Sequence, residues 1–170
     1  MFRNVNAREL DLNPFQTIGQ EWMLVTAGTK ENCNTLTASW GGLGTLWYKD
    51  VATIYIRPQR YTKQFLDNSD HFTLSFFGKG YRDELNLCGT MSGRDMDKIK
   101  ACGFTVAESV HGGAPYFEQA ELVIVCRKLY ADTIKPELFL DAALDLRCYP
   151  KGDHHTFYIG EVVEALKKED

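Results

Sequence analysis

The sequence predicts a mainly β protein with short helices set between its strands, closed as a small barrel or a sandwich. Three observations lead there. Four segments rich in β-branched and aromatic residues follow one another between positions 22 and 77, each bounded by turn chemistry. The connections between them are too short for helical crossovers, so neighbouring strands are expected to pair antiparallel. Two further strand-like segments lie late in the chain, which brings the total to about six, and a closed or stacked sheet would protect their edges.

Taken in order, the early strands are WMLVTA (22–27), NTLTASW (34–40), VATIYIR (51–57) and FTLSFF (72–77). A short helix is expected over 62–68, entered after Pro58 with Thr62 as its N-cap. Residues 82–87 and 94–102 read as two more helices. The second has Ser92 ahead of it and Asp95 three residues on, a capping-box spacing, and Gly103 to stop it. AELVIVCRKLY (120–130) and TFYIGEVVEAL (156–166) are the late strands. Between them PELFLDAAL (136–144) reads as a helix with Pro136 at its first position.

At 170 residues, with 44% apolar and 25% charged side chains, the chain has ordinary globular composition and can bury a core of its own. No Pro/Gly/Ser-rich linker, repeat or low-complexity stretch divides it, so one domain over 1–170 is expected. The net charge of −4 and the absence of any Lys/Arg block longer than a pair argue against a nucleic-acid partner. The first residues show no cationic stretch leading into an apolar one, and no apolar run approaches membrane-spanning length. The expectation is a cytoplasmic protein with no membrane partner. Five scattered cysteines, an odd number, fit reduced thiols better than a disulfide framework.

Several chemistries lose support from what the sequence lacks. There is no GxGxxG, GxxxxGK[ST], HExxH, GxSxG or CxxC. His154 and His155 stand before a strand with only Asp153 beside them, which reads as a surface turn and not as a metal site. His71 and His111 stand alone. No nucleophile, base and orienter can be read from the order of residues, so no catalytic side chain is named.

The segment 34–62 concentrates hydroxyls, glycines, tryptophans and two arginines around one core strand, a mixture that suits an aromatic ring with a phosphate tail. Along 34–40, Asn34, Leu36, Ala38 and Trp40 alternate with Thr35, Thr37 and Ser39. The three hydroxyls are either a polar ligand edge or a solvent-facing strand surface. Glycines at 41, 42 and 44 either permit close backbone approach or form a loose turn. In RPQRYT, Arg57 and Arg60, with Tyr61 and Thr62, stand where a strand gives way to a helix. That corner either holds a phosphate by charge-assisted bonds or is a surface turn whose arginines pair with acids. In CGTMSGRD, Thr90, Ser92, Gly93 and Arg94 either face an anion or serve their own helix.

NTLTASWGGLGTLW, the strand ending in RPQRYT, FTLSFF, LCGTMSGRDMDK and the final HHTFYIGEVVE, in that order, resemble the flavin reductase-like FMN-binding split-barrel family in its flavoredoxin-like branch. The resemblance runs from about position 22 to 166. Leu36 stands where that family often has methionine, a change of little volume.

The resemblance implies a six-stranded antiparallel Greek-key split barrel, paired as a homodimer, with one FMN per subunit near the interface. The isoalloxazine would lie along residues Asn34, Thr35, Leu36, Thr37, Ala38, Ser39 and Trp40. The phosphate would fall to Arg60, Tyr61 and Thr62, with Arg57 on the strand end and Ser92, Gly93 and Arg94 as a second contact. Trp40, Trp47 or Phe77 would wall the ring from water. A flavin carries its own redox chemistry, which agrees with the absence of an acid/base constellation. The function implied is an oxidoreductase passing hydride from NAD(P)H through FMN to a flavin, iron or protein acceptor. The alternative is a flavoredoxin-like electron carrier without NAD(P)H turnover, and a cofactor-free barrel used for protein interaction is the third class. Cys33, beside the flavin strand, is expected to be a passive core or loop thiol.

Overall fold

The computed structural model describes residues 1–169. The chain opens with β1 (Phe2–Asn4), then α1 (Pro14–Gln16), which runs into a π-helical turn at Thr17–Glu21. Four strands follow: β2 (Met23–Gly28), β3 (Cys33–Ala38), β4 (Gly41–Leu46) and β5 (Lys49–Ile56). Next come α2 (Thr62–Asn68), β6 (His71–Phe76), α3 (Arg82–Thr90) and α4 (Lys98–Ala101). The last part holds β7 (Val106–Glu108), β8 (Pro115–Phe117), β9 (Leu122–Thr133), α5 (Ala142–Cys148) and β10 (Thr156–Lys168).

The main sheet has eight strands, in the order β3-β2-β6-β9-β10-β5-β4 with β1 added along β10, and every pairing is antiparallel. β7 and β8 form a separate small hairpin. The six strands read from the sequence are all present, but the count of six is too low. β4 is absent from the sequence reading because its three glycines weaken the strand signal, yet Gly41, Gly42 and Gly44 pair with Ile54, Thr53 and Val51, so of the two readings of these glycines close backbone approach holds and a loose turn does not. Gly41 needs its missing side chain: a Cβ there would stand 2.8 Å from the Thr53 carbonyl.

The core fills the inside of the curled sheet. Met23, Val25, Leu36, Ile54, Ile56, Phe72, Leu74, Ile124 and Tyr158 pack together there, and Leu66 on α2 closes one end. A second cluster of Leu24, Leu85, Cys88, Phe104 and Phe117 lies on the outer face of β2, holding α3 and the Cys102 end of α4 to the sheet. The sheet thus has apolar cover on both faces near β2, while the turn end of the β4–β5 hairpin, residues 45–48, extends beyond that cover.

Helix starts follow the strongest available cap. α2 begins at Thr62 as expected, but Thr62 is its first residue and not its cap, and its hydroxyl turns inward. The helix expected over 94–102 shrinks to α4, because the Asp97 carboxylate accepts from Lys100 N and restarts the chain there. Ser92 accepts from Arg94 N and fixes only a turn. The helix expected over 136–144 is split for the same reason. Pro136–Leu138 makes one 3-10 turn, and Asp141 then caps α5 by accepting from Ala143 N and Leu144 N. Among the described residues no helix is long and apolar enough to cross a membrane.

Candidate functional site

Where β3 and β5 run out beside each other, a cleft of about 240 Å³ opens, lined by Leu36, Thr37, Ala38, Ser39, Trp40, Tyr55, Ile56, Arg57, Arg60 and His155. Ser39, Trp40 and Tyr55 also border a larger, more apolar cleft of about 530 Å³ with Phe15, Ile18, Leu43, Ile134 and Tyr149 on its walls. The two form one groove with the half-exposed indole of Trp40 at their junction. Such a groove can take a planar aromatic ring. Trp47 lies instead at the exposed tip of the β4–β5 hairpin. Phe77 stacks on Phe104 in the second core cluster. Of the three expected walls, only Trp40 lines the groove.

The two arginines of the strand-to-helix corner differ in their pairing. Arg57 makes an ion pair with Asp153 at 2.6 Å and donates to the Cys148 carbonyl at 2.9 Å, and its guanidinium lies 5.1 Å from the Tyr149 ring centre. Its charge is already compensated. Among the described residues the Arg60 guanidinium donates only to the Cys88 carbonyl, at 3.1 Å. Lys98 Nζ donates to the same oxygen at 3.2 Å, although the residue is only 2% exposed. Among the described residues no carboxylate forms an ion pair with Arg60, Lys98 or Arg94.

A buried and a half-buried cation sharing one neutral oxygen repel each other and lose hydration without compensation. Burial, with Arg60 as a further contributor, brings the Lys98 ammonium down to about 8, and burial lowers Arg60 as well. A doubly charged anion would supply what the protein does not. The donor set therefore fits a phosphate. Arg94 stacks over the Tyr61 ring at 4.8 Å and donates to the Gln59 carbonyl, so a third cation stands near this corner.

The remaining expected residues fall into two groups. Asn34, Tyr61 and Gly93 line a separate, polar cleft of about 410 Å³ together with Lys98 and Cys33. Thr62 Oγ1 donates to Asn34 Oδ1 at 2.8 Å, and a Cβ on Gly93 would collide with Asn34. Thr35 is fully buried, bonded to Thr26 Oγ1 at 2.9 Å and to the Val25 carbonyl. Thr37 donates to the Leu85 carbonyl of α3. The hydroxyl face of β3 is thus neither a free ligand edge nor a solvent surface. Thr35 and Thr37 clamp β2 and α3, although Thr37 also borders the groove, and of the three hydroxyls only that of Ser39, beyond the strand end, has no hydrogen-bond partner among the described residues. Ser92 lies in an exposed turn, bonded to Arg94 N.

Lys98, Tyr55 and His155 were not read as site residues. Tyr55 shares the Thr53, Tyr55, Arg57 face of an alternating strand, so period two could have found it. His155 is 7% exposed, accepts from or donates to Tyr149 Oη at 2.8 Å and lies 5.0 Å from Trp40, ring to ring. Burial, aided by the Arg57 charge, brings it down to about 4, so it is neutral at pH 7. It forms a cleft wall and not the surface turn the sequence indicated. His154 is not a free surface turn either: it stacks on Tyr149 at 4.4 Å between ring centres and bonds to Asp145 at 2.6 Å, which raises its pKa.

An antiparallel sheet curled around its main core, with a groove at its strand ends and uncompensated cations beside it, has the architecture of a split barrel. A family profile described as Flavin reductase like domain matches residues 15–170, and the chain belongs to that family. Among solved structures, the FMN-binding protein from Thermus thermophilus with bound p-hydroxybenzaldehyde is 23% identical, with 98% of this chain and 82% of that one covered at a TM-score of 0.69. Flavoredoxin of Desulfovibrio vulgaris (Miyazaki F) is 21% identical, with coverages of 87% and 69% and a TM-score of 0.68. The NADH:FAD oxidoreductase of Streptomyces globisporus C-1027 is 18% identical, with coverages of 87% and 74% and a TM-score of 0.64. At these identities the likeness is one of fold. Comparison with curated proteins gives no match.

Proposed function

We propose that the protein binds FMN and works as a flavin reductase-type oxidoreductase, taking hydride from NAD(P)H and passing electrons to a flavin, iron or protein acceptor. The observation that carries this reading is the Arg60–Lys98 pair on the Cys88 carbonyl, two cations without an anionic partner, of which Arg60 borders a groove suited to a flat aromatic ring and Lys98 the polar cleft beside it. Family membership and the FMN-binding neighbour support it.

In this reading Arg60 and Lys98 hold the FMN phosphate, with Arg94 on the outer side and Ser92 and Gly93 shaping its turn. Asn34, Tyr61 and Thr62 position that corner through the Thr62–Asn34 bond. Leu36, Ala38, Ser39 and Trp40 line the ring's bed, and Thr35 and Thr37 hold the strand beneath it. Arg57, already paired with Asp153, anchors the loop that carries His155. Bound flavin supplies the hydride and electron chemistry. Trp40 and Tyr55 exclude water from one part of the groove, and the neutral His155–Tyr149 pair offers a hydrogen bond there without a charge. The wider apolar cleft beyond Trp40 leaves room for a second ring, the nicotinamide or acceptor.

We place the protein in the cytoplasm, in keeping with five free thiols, and as a homodimer joined through the aromatic band that runs from Trp47 through Tyr130 to Phe157 and Tyr55. The purified protein should be yellow or become so on adding FMN. Anaerobic NADH or NADPH should then bleach the flavin band. A protein that binds FMN but is not bleached by either nucleotide would be a carrier of the flavoredoxin kind, and one that never takes up FMN would end the flavin reading.

A further inference from the structure

Cys88 is fully buried on α3, and Cys102 closes α4. Their sulfurs are 3.8 Å apart. Cys102 Sγ also rests on the Glu84 carbonyl, one turn earlier on α3, at 3.9 Å, so its side chain is held against that helix. The same two residues carry the phosphate corner. The Cys88 carbonyl is the oxygen that Arg60 and Lys98 share, and Cys102 N donates to the Lys98 carbonyl at 2.9 Å.

We propose that Cys88 and Cys102 form a reversible disulfide on meeting hydrogen peroxide, and that this bond disables the phosphate corner. Cys102 is the more exposed thiol and reacts first: its thiolate attacks one peroxide oxygen, giving a sulfenic acid and hydroxide, which leaves as water once protonated. The Cys88 thiolate then attacks the Cys102 sulfur, forming the S–S bond and displacing a second water. Two thiols are oxidised and one peroxide is reduced to two waters, so electrons and atoms balance. Burial keeps both thiols protonated at rest, Cys88 up to about 12, while the Lys98 charge favours both thiolates and Glu84 opposes that of Cys102. The pair is therefore slow to react and responds to sustained peroxide.

A disulfide needs the sulfurs at about 2.05 Å, so closure turns the two side chains out of their present positions and pulls on α4 and the C-terminal turn of α3 that carry them. Lys98 rides on α4, and the Cys88 carbonyl terminates the contact that fixes Arg60. Neither can move without altering the corner. This consequence rests on the FMN reading above, but the bond itself does not.

The test takes the full-length protein, reduced and freed of reductant, and exposes it to millimolar hydrogen peroxide. The intact mass should fall by about 2 Da, the two thiol hydrogens, with one cross-linked pair of peptides containing Cys88 and Cys102. FMN affinity of that form should drop roughly tenfold and return after dithiothreitol. Cys102→Ser should not cross-link, and whatever its own FMN affinity, peroxide should leave that value unchanged, while Cys33→Ser should respond as the unaltered protein does. An unchanged mass, oxygen addition without a cross-link, or pairing through Cys33 would overturn the proposal, and so would a cross-linked protein that binds FMN as well as the reduced one. Reduced protein that binds no FMN would instead remove the flavin reading, while the mass measurement would still decide whether the pair closes.

Discussion

Arg57 and Arg60 stand three positions apart, and their different partners give them different work. Removing Arg57 would leave Asp153 without its ion pair and with only Gln59 donating to its carboxylate from another side chain, whereas removing Arg60 would relieve a cation that the protein alone does not neutralise. Arg60→Ala should therefore fold normally yet weaken FMN binding by about 1.5–3 kcal/mol, the worth of a charge-assisted contact, in a fluorescence titration. An unchanged affinity would remove Arg60 from the site. Thr62→Val should show the reverse pattern: it leaves Asn34 Oδ1 buried and unpartnered, costing about 1–3 kcal/mol of stability in urea unfolding. His155 makes stability depend on pH. Its folded pKa of about 4 lies below the ordinary 6.5, so the unfolded chain binds the proton first. Stability is lost as pH falls from about 6.5 toward 4, by about 2 kcal/mol after allowing for its open edge on the cleft. His155→Gln should flatten that part of the acid profile. His154 acts in the opposite sense, since its raised pKa favours the folded state below 6.5 and that contribution is lost as pH rises through the folded value. Arg60 was legible in the sequence because a cation at a strand-to-helix junction has local meaning. Lys98 was not, because nothing in DMDKIK signals that the ammonium is buried against a carbonyl of another helix.

At the scale of elements, strands were read well and helix starts poorly. Alternation of β-branched residues is a property of the segment itself, and it found β2, β3, β5, β6, β9 and β10. A helix start is a competition among caps. Asp97 and Asp141 won over Ser92 and Pro136, and sequence spacing does not rank such rivals. The hydroxyls of β3 show a related limit: alternation told which residues share a face, but only the packing of α3 told what that face meets. β10 carries a further constraint in Gly160, beside a register shift against β9. A Cβ there would stand 2.7 Å from the Phe72 ring and 2.8 Å from Cys126 Cβ, both in the core. Gly160→Ala should cost about 1–3 kcal/mol in thermal or urea unfolding through overpacking. A neutral outcome would mean that Phe72 can retreat, and that the bend of β10 does not depend on the missing side chain.

For the molecule as a whole, the β4–β5 hairpin carries a cost that its own fold does not require. Trp47 and Tyr48 occupy the two turn positions with φ of 52° and 58°, a left-handed conformation that hairpin turns usually give to Asn and Gly. Each bulky residue held there costs about 1–2 kcal/mol relative to a residue that adopts it freely. Tyr48 is fully exposed and Trp47 is half-exposed, touching Tyr130 at 6.3 Å between ring centres, so little contact within the chain offsets this strain. Strain of this kind persists where another requirement holds it. In the proposed homodimer that requirement is the partner surface, since Trp47, Tyr130, Phe157 and Tyr55 form one continuous aromatic band on the exposed side of the sheet. The double variant Trp47→Asn with Tyr48→Gly should therefore separate two quantities that usually move together. The isolated fold should gain about 2–4 kcal/mol from a turn relaxed at both positions. Light scattering should meanwhile show the assembly falling from twice the 19.3 kDa chain mass to the chain mass itself. An unaltered protein that already runs at the chain mass would remove the dimer, and a variant that stays paired would move the interface elsewhere on the barrel.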